Sequence, residues 1–170
     1  MTINFNLALV AILGMLAMPS AATELPATAL LSIGFTEVRL NDLQNTDTYS
    51  QRAAKVGGYL SVSADLNGDG KIHEVRILQN RDRQIAYVVA VISSPEKLDT
   101  FVLSSFALSE IAHIAIDAVQ PIPELTGGHM RTGIAIFDLR TGKGEATFFD
   151  GEEFTIHTAI DRPRSQAGGV

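Results

Sequence analysis

Ten consecutive residues near the middle of the chain carry side chains whose types and spacing suit ion chemistry: Asp65-Leu66-Asn67-Gly68-Asp69-Gly70-Lys71-Ile72-His73-Glu74. A hard cation such as calcium takes six to eight oxygen ligands, and a loop offering carboxylate or amide groups at alternate positions can wrap it. Asp65, Asn67 and Asp69 stand at positions one, three and five of such a loop. Gly70 at position six permits the sharp turn, and the carbonyl of Lys71 at position seven supplies a backbone ligand. Ile72 at position eight is expected to anchor the loop to the core. Position twelve, a bidentate Glu in an EF-hand, is Arg76 here. Position nine is His73, a poor ligand for a hard ion, with Glu74 beside it; an aspartate in place of His73 would restore an oxygen ligand. The candidate ligand set is therefore Asp65, Asn67, Asp69, Lys71 and Glu74, and its low charge places calcium affinity at roughly 10⁻⁴–10⁻³ M. Asn-Gly and Asp-Gly also form turns without any metal, so a plain hairpin loop is the alternative reading of the same residues.

Other catalytic patterns are missing. The four His residues (His73, His113, His129 and His157) form no H-E-x-x-H pair, and no Gly-x-Ser-x-Gly elbow occurs. Gly142-Lys143-Gly144 lacks the upstream Gly and the Ser/Thr of a phosphate-binding loop and reads as a turn. Glu152-Glu153 with Asp150 reads as a solvated acidic hairpin tip. A hydrolase would require the fold to bring His113, His129 or His157 together. With no Cys in 170 residues, disulfides, thiolate metal sites and cysteine nucleophiles are excluded. The 13 Lys and Arg against 19 Asp and Glu give a net charge of −6, which argues against a nucleic-acid binder. A hydrophobic fraction of 46% excludes a disordered chain.

The elements that must position the loop follow from periodicity. Tyr59 to Ala64 alternates, with Leu60, Val62 and Ala64 on one face. Ile72 to Leu78 resumes as a strand, the polar turn Asn80-Arg81-Asp82-Arg83 follows, and Ile85 to Ile92 is a nearly unbroken apolar run, as in a strand buried on both faces. Phe101 to Leu103 adds a short strand. Ile111 to Val119 fits a helix face or a strand, and its length, three Ile and the Pro121/Pro123 boundary favour strand. Gly133 to Leu139, Glu145 to Phe149 and Glu153 to Ile160 read as three strands, with Asp150-Gly151 as a type I′ hairpin turn. Upstream, Ile33 to Leu40 reads as an edge strand, and Arg52-Ala53-Ala54-Lys55 before Gly57-Gly58 reads as a short surface helix. The expected fold is α+β, mainly an antiparallel β meander with a short N-terminal helix and the calcium-type loop at a hairpin tip.

Residues 1–22 carry no charged side chain, are apolar through most of Phe5 to Met18, and end in Ser20-Ala21-Ala22, the layout of a secretory signal peptide. The expectation is an exported, periplasmic or secreted chain with one domain over 23–161 and a tail over 162–170. No membrane span would remain after signal cleavage.

The segment Ser63-Ala64-Asp65-Leu66-Asn67-Gly68-Asp69-Gly70-Lys71, followed by Glu74-Val75-Arg76-Ile77-Leu78, resembles small exported bacterial proteins that carry a single calcium-type loop, akin to integrin-type propeller loops and distinct from EF-hand pairs. The resemblance extends in layout from Gly58 to Asp161, through Val88 to Ile92 and the Phe148, Phe149 and Phe154 stretch. It implies a compartment and an architecture, not a reaction. Two functions are expected: a non-catalytic exported protein whose loop binds calcium to stabilise a hairpin, or an exported protein-binding module (inhibitor or immunity-type) whose loop is a plain turn and whose partner would be another envelope protein.

Overall fold

The structure, a computed structural model, describes residues 23–24, 34–93, 98–122 and 131–161, with the backbone alone for 23–24 and 156–158. The expected signal peptide over 1–22 and the expected tail over 162–170 lie outside the described residues. Strands β1 (Thr23–Glu24), β2 (Thr36–Glu37), β3 (Ser61–Ala64), β4 (His73–Asn80), β5 (Ile85–Ser93) and β6 (Leu98–Ala107) form one sheet in the order β1-β6-β5-β4-β2, with β3 also on β4. Strands β7 (Ile114–Val119), β8 (Gly133–Asp138), β9 (Lys143–Phe149) and β10 (Phe154–Asp161) form a second sheet in the order β10-β9-β8-β7. Every pairing is antiparallel. The second sheet is a meander, as is the β3-β4-β5-β6 run of the first, to which β1 and β2 add by non-sequential pairing; with one short helix, α1 (Tyr49–Ala53), the expected mainly antiparallel class is observed.

The two sheets share one core. Val75, Ile77, Val88 and Phe101 from the first meet Ile116, Ile134, Phe149 and Phe154 from the second. The rings of Phe101, Phe149 and Phe154 lie 5.2–5.6 Å apart, within the range of favourable aromatic pairs. Alternation explains which side chains enter. In β3 Val62 and Ala64 point inward, and in β4 His73, Val75 and Ile77 do. β5 is buried on both faces, as its apolar run implies: Ala86, Val88, Ala90 and Ile92 join the shared core, while Val89 packs with Phe35 on the outer face.

Five local expectations are corrected. The upstream edge strand shrinks to Thr36–Glu37, followed by a 3₁₀ turn at Leu40–Leu43 where Asp42 accepts the Arg39 N–H. The strand at Phe101 runs from Leu98 to Ala107, because its whole length pairs with β5. In the 111–119 stretch the strand begins only at Ile114, and residues 111–113 form a corner. The β9–β10 connection spans Asp150–Glu153, since Phe149 pairs with Phe154; the Asp150 carboxylate accepts the N–H groups of Glu152 and Glu153, and only Gly151 has positive φ, so the turn is not type I′.

The fifth correction concerns the helix. It is not a surface helix at Arg52, which is fully buried. Its guanidinium donates to the carbonyls of Gly58, Ile111 and Ala112, each at 3.1 Å, and of Ile114 at 2.6 Å. The Thr48 hydroxyl donates to the same Ala112 carbonyl. This clamp ties α1 to the corner that enters the second sheet. Loss of hydration pulls the guanidinium down to about 10, which still leaves it charged at neutral pH.

Candidate metal site

The Asp65–Lys71 loop joins β3 to β4, so two paired strands fix its ends: Ala64 faces His73 in the register. Within it three side chains fold onto the backbone. Asp65 Oδ1 accepts the Gly68 N–H at 2.7 Å and Oδ2 the Gly70 N–H at 2.9 Å. Asn67 Oδ1 accepts the Asp69 N–H at 3.1 Å, and Asp69 Oδ1 the Lys71 N–H at 2.8 Å. Gly68 and Gly70 both take φ of +79°, the left-handed region in which an L side chain is strained, so this chain path needs both glycines.

The Asp65 and Asp69 carboxylates lie together, Asn67 Oδ1 turns in beside them toward the Asp69 N–H and His73, and Lys71 is tied in by its N–H to Asp69; Glu74 does not join them. Glu74 lies on the opposite face of β4 from His73, exposed and paired with Arg76, which also reaches Glu37. Strand parity also reverses the expected anchor. Ile72 is 66% exposed, while Leu66 is fully buried and His73 only 2% exposed. The loop is held from inside by Leu66 and His73.

His73 closes the cluster from below. Single ligand atoms of Asp65, Asp69 and His73 lie within 4.8 Å of one another. The imidazole is nonetheless committed. The Ser93 N–H, which can only donate, points at Nδ1 at 3.2 Å, so in the neutral ring the proton sits on Nε2. Nε2 then donates to Asn67 Oδ1 at 2.9 Å. His73 therefore orients Asn67 and offers no lone pair to an ion.

Charge around the loop is mixed. The Asp69 carboxyl is held below its ordinary range, first by the Lys71 N–H and then by Asn67, with the charges of Lys71 and His73 adding; the Lys71 ammonium lies 3.8 Å from Asp69 Oδ2. Arg131 sits behind the loop. A methyl group on Gly68 would meet its Cγ at 3.3 Å, its Nη1 donates to the Phe149 carbonyl at 2.9 Å, and its charge lowers Asp150 further, after the backbone N–H of Glu153. The Thr132 N–H donates to the Asp65 carbonyl at 3.0 Å. Arg131, Thr132 and Ser93 escaped sequence reasoning because no local spacing links them to the loop.

Of the other histidines, His129 and the His157 side chain lie outside the described residues. His113 is on the corner before β7, with Nδ1 3.5 Å from Asp47 Oδ1, and among the described residues the only three-membered His/Asp/Glu cluster is that of Asp65, Asp69 and His73. No described helix is long and apolar enough to cross a membrane. No protein-family model matches the chain, and no curated protein or solved structure matches it.

Proposed function

We propose that this is an exported, non-catalytic β-sheet protein whose Asp65–Lys71 loop takes calcium as a structural ion, locking the β3–β4 hairpin. The observation that carries the reading is the convergence of the Asp65 and Asp69 carboxylates over a loop already shaped by its own backbone hydrogen bonds. Ligands 2.3–2.6 Å from one cation stand at most about 5 Å from each other, and the 4.8 Å span meets that limit. With His73 committed to Ser93 and Asn67, the free donors are oxygens, which suit a hard cation better than a transition metal. Export rests on the composition of residues 1–22.

Calcium should raise the melting temperature of the chelator-treated protein, with about 1.4 kcal/mol of added stability at ten times Kd. Magnesium should do much less, because it gives up water reluctantly and demands tighter octahedral geometry. Asp69→Ala should remove the calcium shift. A melting point unmoved by millimolar calcium would overturn the reading. In that case the protein-binding alternative gains, because the exposed Asp150, Glu152 and Glu153 tip offers an acidic surface to an envelope partner that a pull-down would recover.

A further inference from the structure

We propose that Asn67 is a self-modifying residue, whose side-chain amide is converted to a carboxylate in the folded loop through attack by the Gly68 backbone nitrogen. Asn67-Gly68 is the one Asn-Gly pair in the sequence. Glycine offers the attacking nitrogen least hindrance, having no Cβ.

The fold polarises both ends of the bond that would form. The Asp69 N–H can only donate, so the atom of the Asn67 amide that faces it at 3.1 Å is Oδ1. On its other side stands His73 Nε2 at 2.9 Å, a donor because the Ser93 N–H occupies Nδ1. Two donors thus converge on one carbonyl oxygen, and one of them is a buried ring held by its neighbours, the arrangement that stabilises a developing oxyanion. At the other end the Gly68 N–H donates to the Asp65 carboxylate at 2.7 Å, within the reach required of a general base. Gly68 is exposed, so water has access.

The steps balance without an oxidant or reductant. The Gly68 N–Cγ bond forms as the nitrogen's proton passes to Asp65, and negative charge gathers on Oδ1 between the Asp69 and His73 donors. Collapse breaks the bond from Cγ to the side-chain nitrogen, which takes the proton back from Asp65 and leaves as ammonia. One water then opens the cyclic imide. Opening at Cγ leaves an ordinary aspartate side chain where the amide stood; opening at the main-chain carbonyl gives the iso-aspartyl form. The new carboxylate would complete three at positions one, three and five of the loop. That consequence rests on the calcium reading, whereas the loss of the amide does not.

The test follows residue 67 by peptide mass mapping in the full chain, folded in chelator and unfolded in urea at the same mildly alkaline pH. The folded chain should lose the amide about tenfold faster or more, toward the scale at which an oxyanion donor counts. Asp65→Asn, a near-isosteric change whose folding circular dichroism can verify, should remove most of that acceleration, and His73→Gln should do likewise where it folds. An equal or slower rate in the folded chain, or an undiminished rate in folded Asp65→Asn, overturns the proposal. Calcium titration of fresh protein against Asn67→Asp separates the two readings, with affinity expected to rise about tenfold with the added charge. Accelerated amide loss without calcium binding by either protein upholds the modification and overturns only the calcium reading.

Discussion

Oxygen atoms converge at two places in this molecule, and the two are solved in opposite ways. At the α1 corner the carbonyls of Gly58, Ile111, Ala112 and Ile114 converge in the interior, and the chain supplies its own cation, the Arg52 guanidinium. At the β3–β4 loop the oxygens belong to side chains, stand at the surface, and already accept backbone N–H groups; the Lys71 ammonium lies 3.8 Å from Asp69. A buried convergence cannot rely on an exchangeable ion, because the orphaned carbonyls would be costly whenever the ion left. A surface loop with satisfied backbone can hold its shape in either state, and is the place where exchange is tolerable.

The contrast is broken most directly at Arg52. Arg52→Met keeps much of the volume but takes the guanidinium from the carbonyls of Gly58, Ile111 and Ile114 and leaves Ala112 to Thr48 alone, so stability should fall by about 3 kcal/mol or more. For a domain of this size that is a drop of roughly 10 °C in Tm by differential scanning calorimetry. Arg52→Lys should recover only part, since one ammonium cannot span four acceptors in the guanidinium's fork. A methionine variant that melts with the parent would show that the clamp adds nothing.

The next largest effect is expected at His73. Sequence logic recommends His73→Asp as the restoration of a ligand. The structure changes the sign for the ion-free protein: the substitution deletes the donor to Asn67 and buries a carboxylate at a position 2% exposed. Urea unfolding in chelator should show a loss of about 1–3 kcal/mol, part of it recovered by calcium. Unchanged stability in chelator would mean that His73 does not hold the loop.

His73 also shows how much was legible beforehand. Most strands follow from period-two patterns, the apolar run of β5 and the turns between them, whereas β6 is legible only at Phe101–Leu103 and β1 not at all; Asp65, Asn67 and Asp69 stand out by spacing. The inward direction of His73 was written in the same pattern, because it shares parity with Val75 and Ile77, while Ile72 shares parity with Glu74 and Arg76. Motif positions from a different fold concealed it. Arg52 had no such signal. Its polar neighbours suggested a surface, and one of its acceptors, Ile111, lies 59 residues further on. Ser93 and Arg131 reach the loop only through pairing and packing across the fold, which a local pattern does not encode.

The carboxylate character of the loop makes its own prediction with pH. Asp69 is held below its ordinary 3.8 by the Lys71 N–H before all else. A carboxyl depressed by folding contributes stability that is complete above its unfolded value and is lost as pH falls through the folded one. If calcium sits at Asp69, protons displace it there only as pH falls toward and below the ordinary 3.8, and the calcium-induced Tm shift should persist from neutral pH into the mildly acidic range. Paired melts in calcium and in chelator along a pH series would measure it. A shift that fades near neutral pH would assign the ion to a histidine instead.

The smallest effect, and the finest test of the contrast, lies at Lys71. If the surface loop is built for an exchangeable cation, the ammonium beside Asp69 is a weak competitor, not a clamp. The pair is long at 3.8 Å and Lys71 is half-exposed, so its own contribution to stability should be under about 1 kcal/mol. Lys71→Ala keeps the backbone N–H that shapes Asp69 and the carbonyl at position seven, and removes only the charge. At about 8 Å in water a unit charge and a divalent ion repel by about 1 kcal/mol, so calcium affinity should rise roughly fivefold, with the gain shrinking as salt is added. Calcium titrations of both proteins at low and high ionic strength would measure it. Weaker binding in Lys71→Ala would mean that the lysine organises the loop as Arg52 organises its corner, and the distinction between the two sites would fail there.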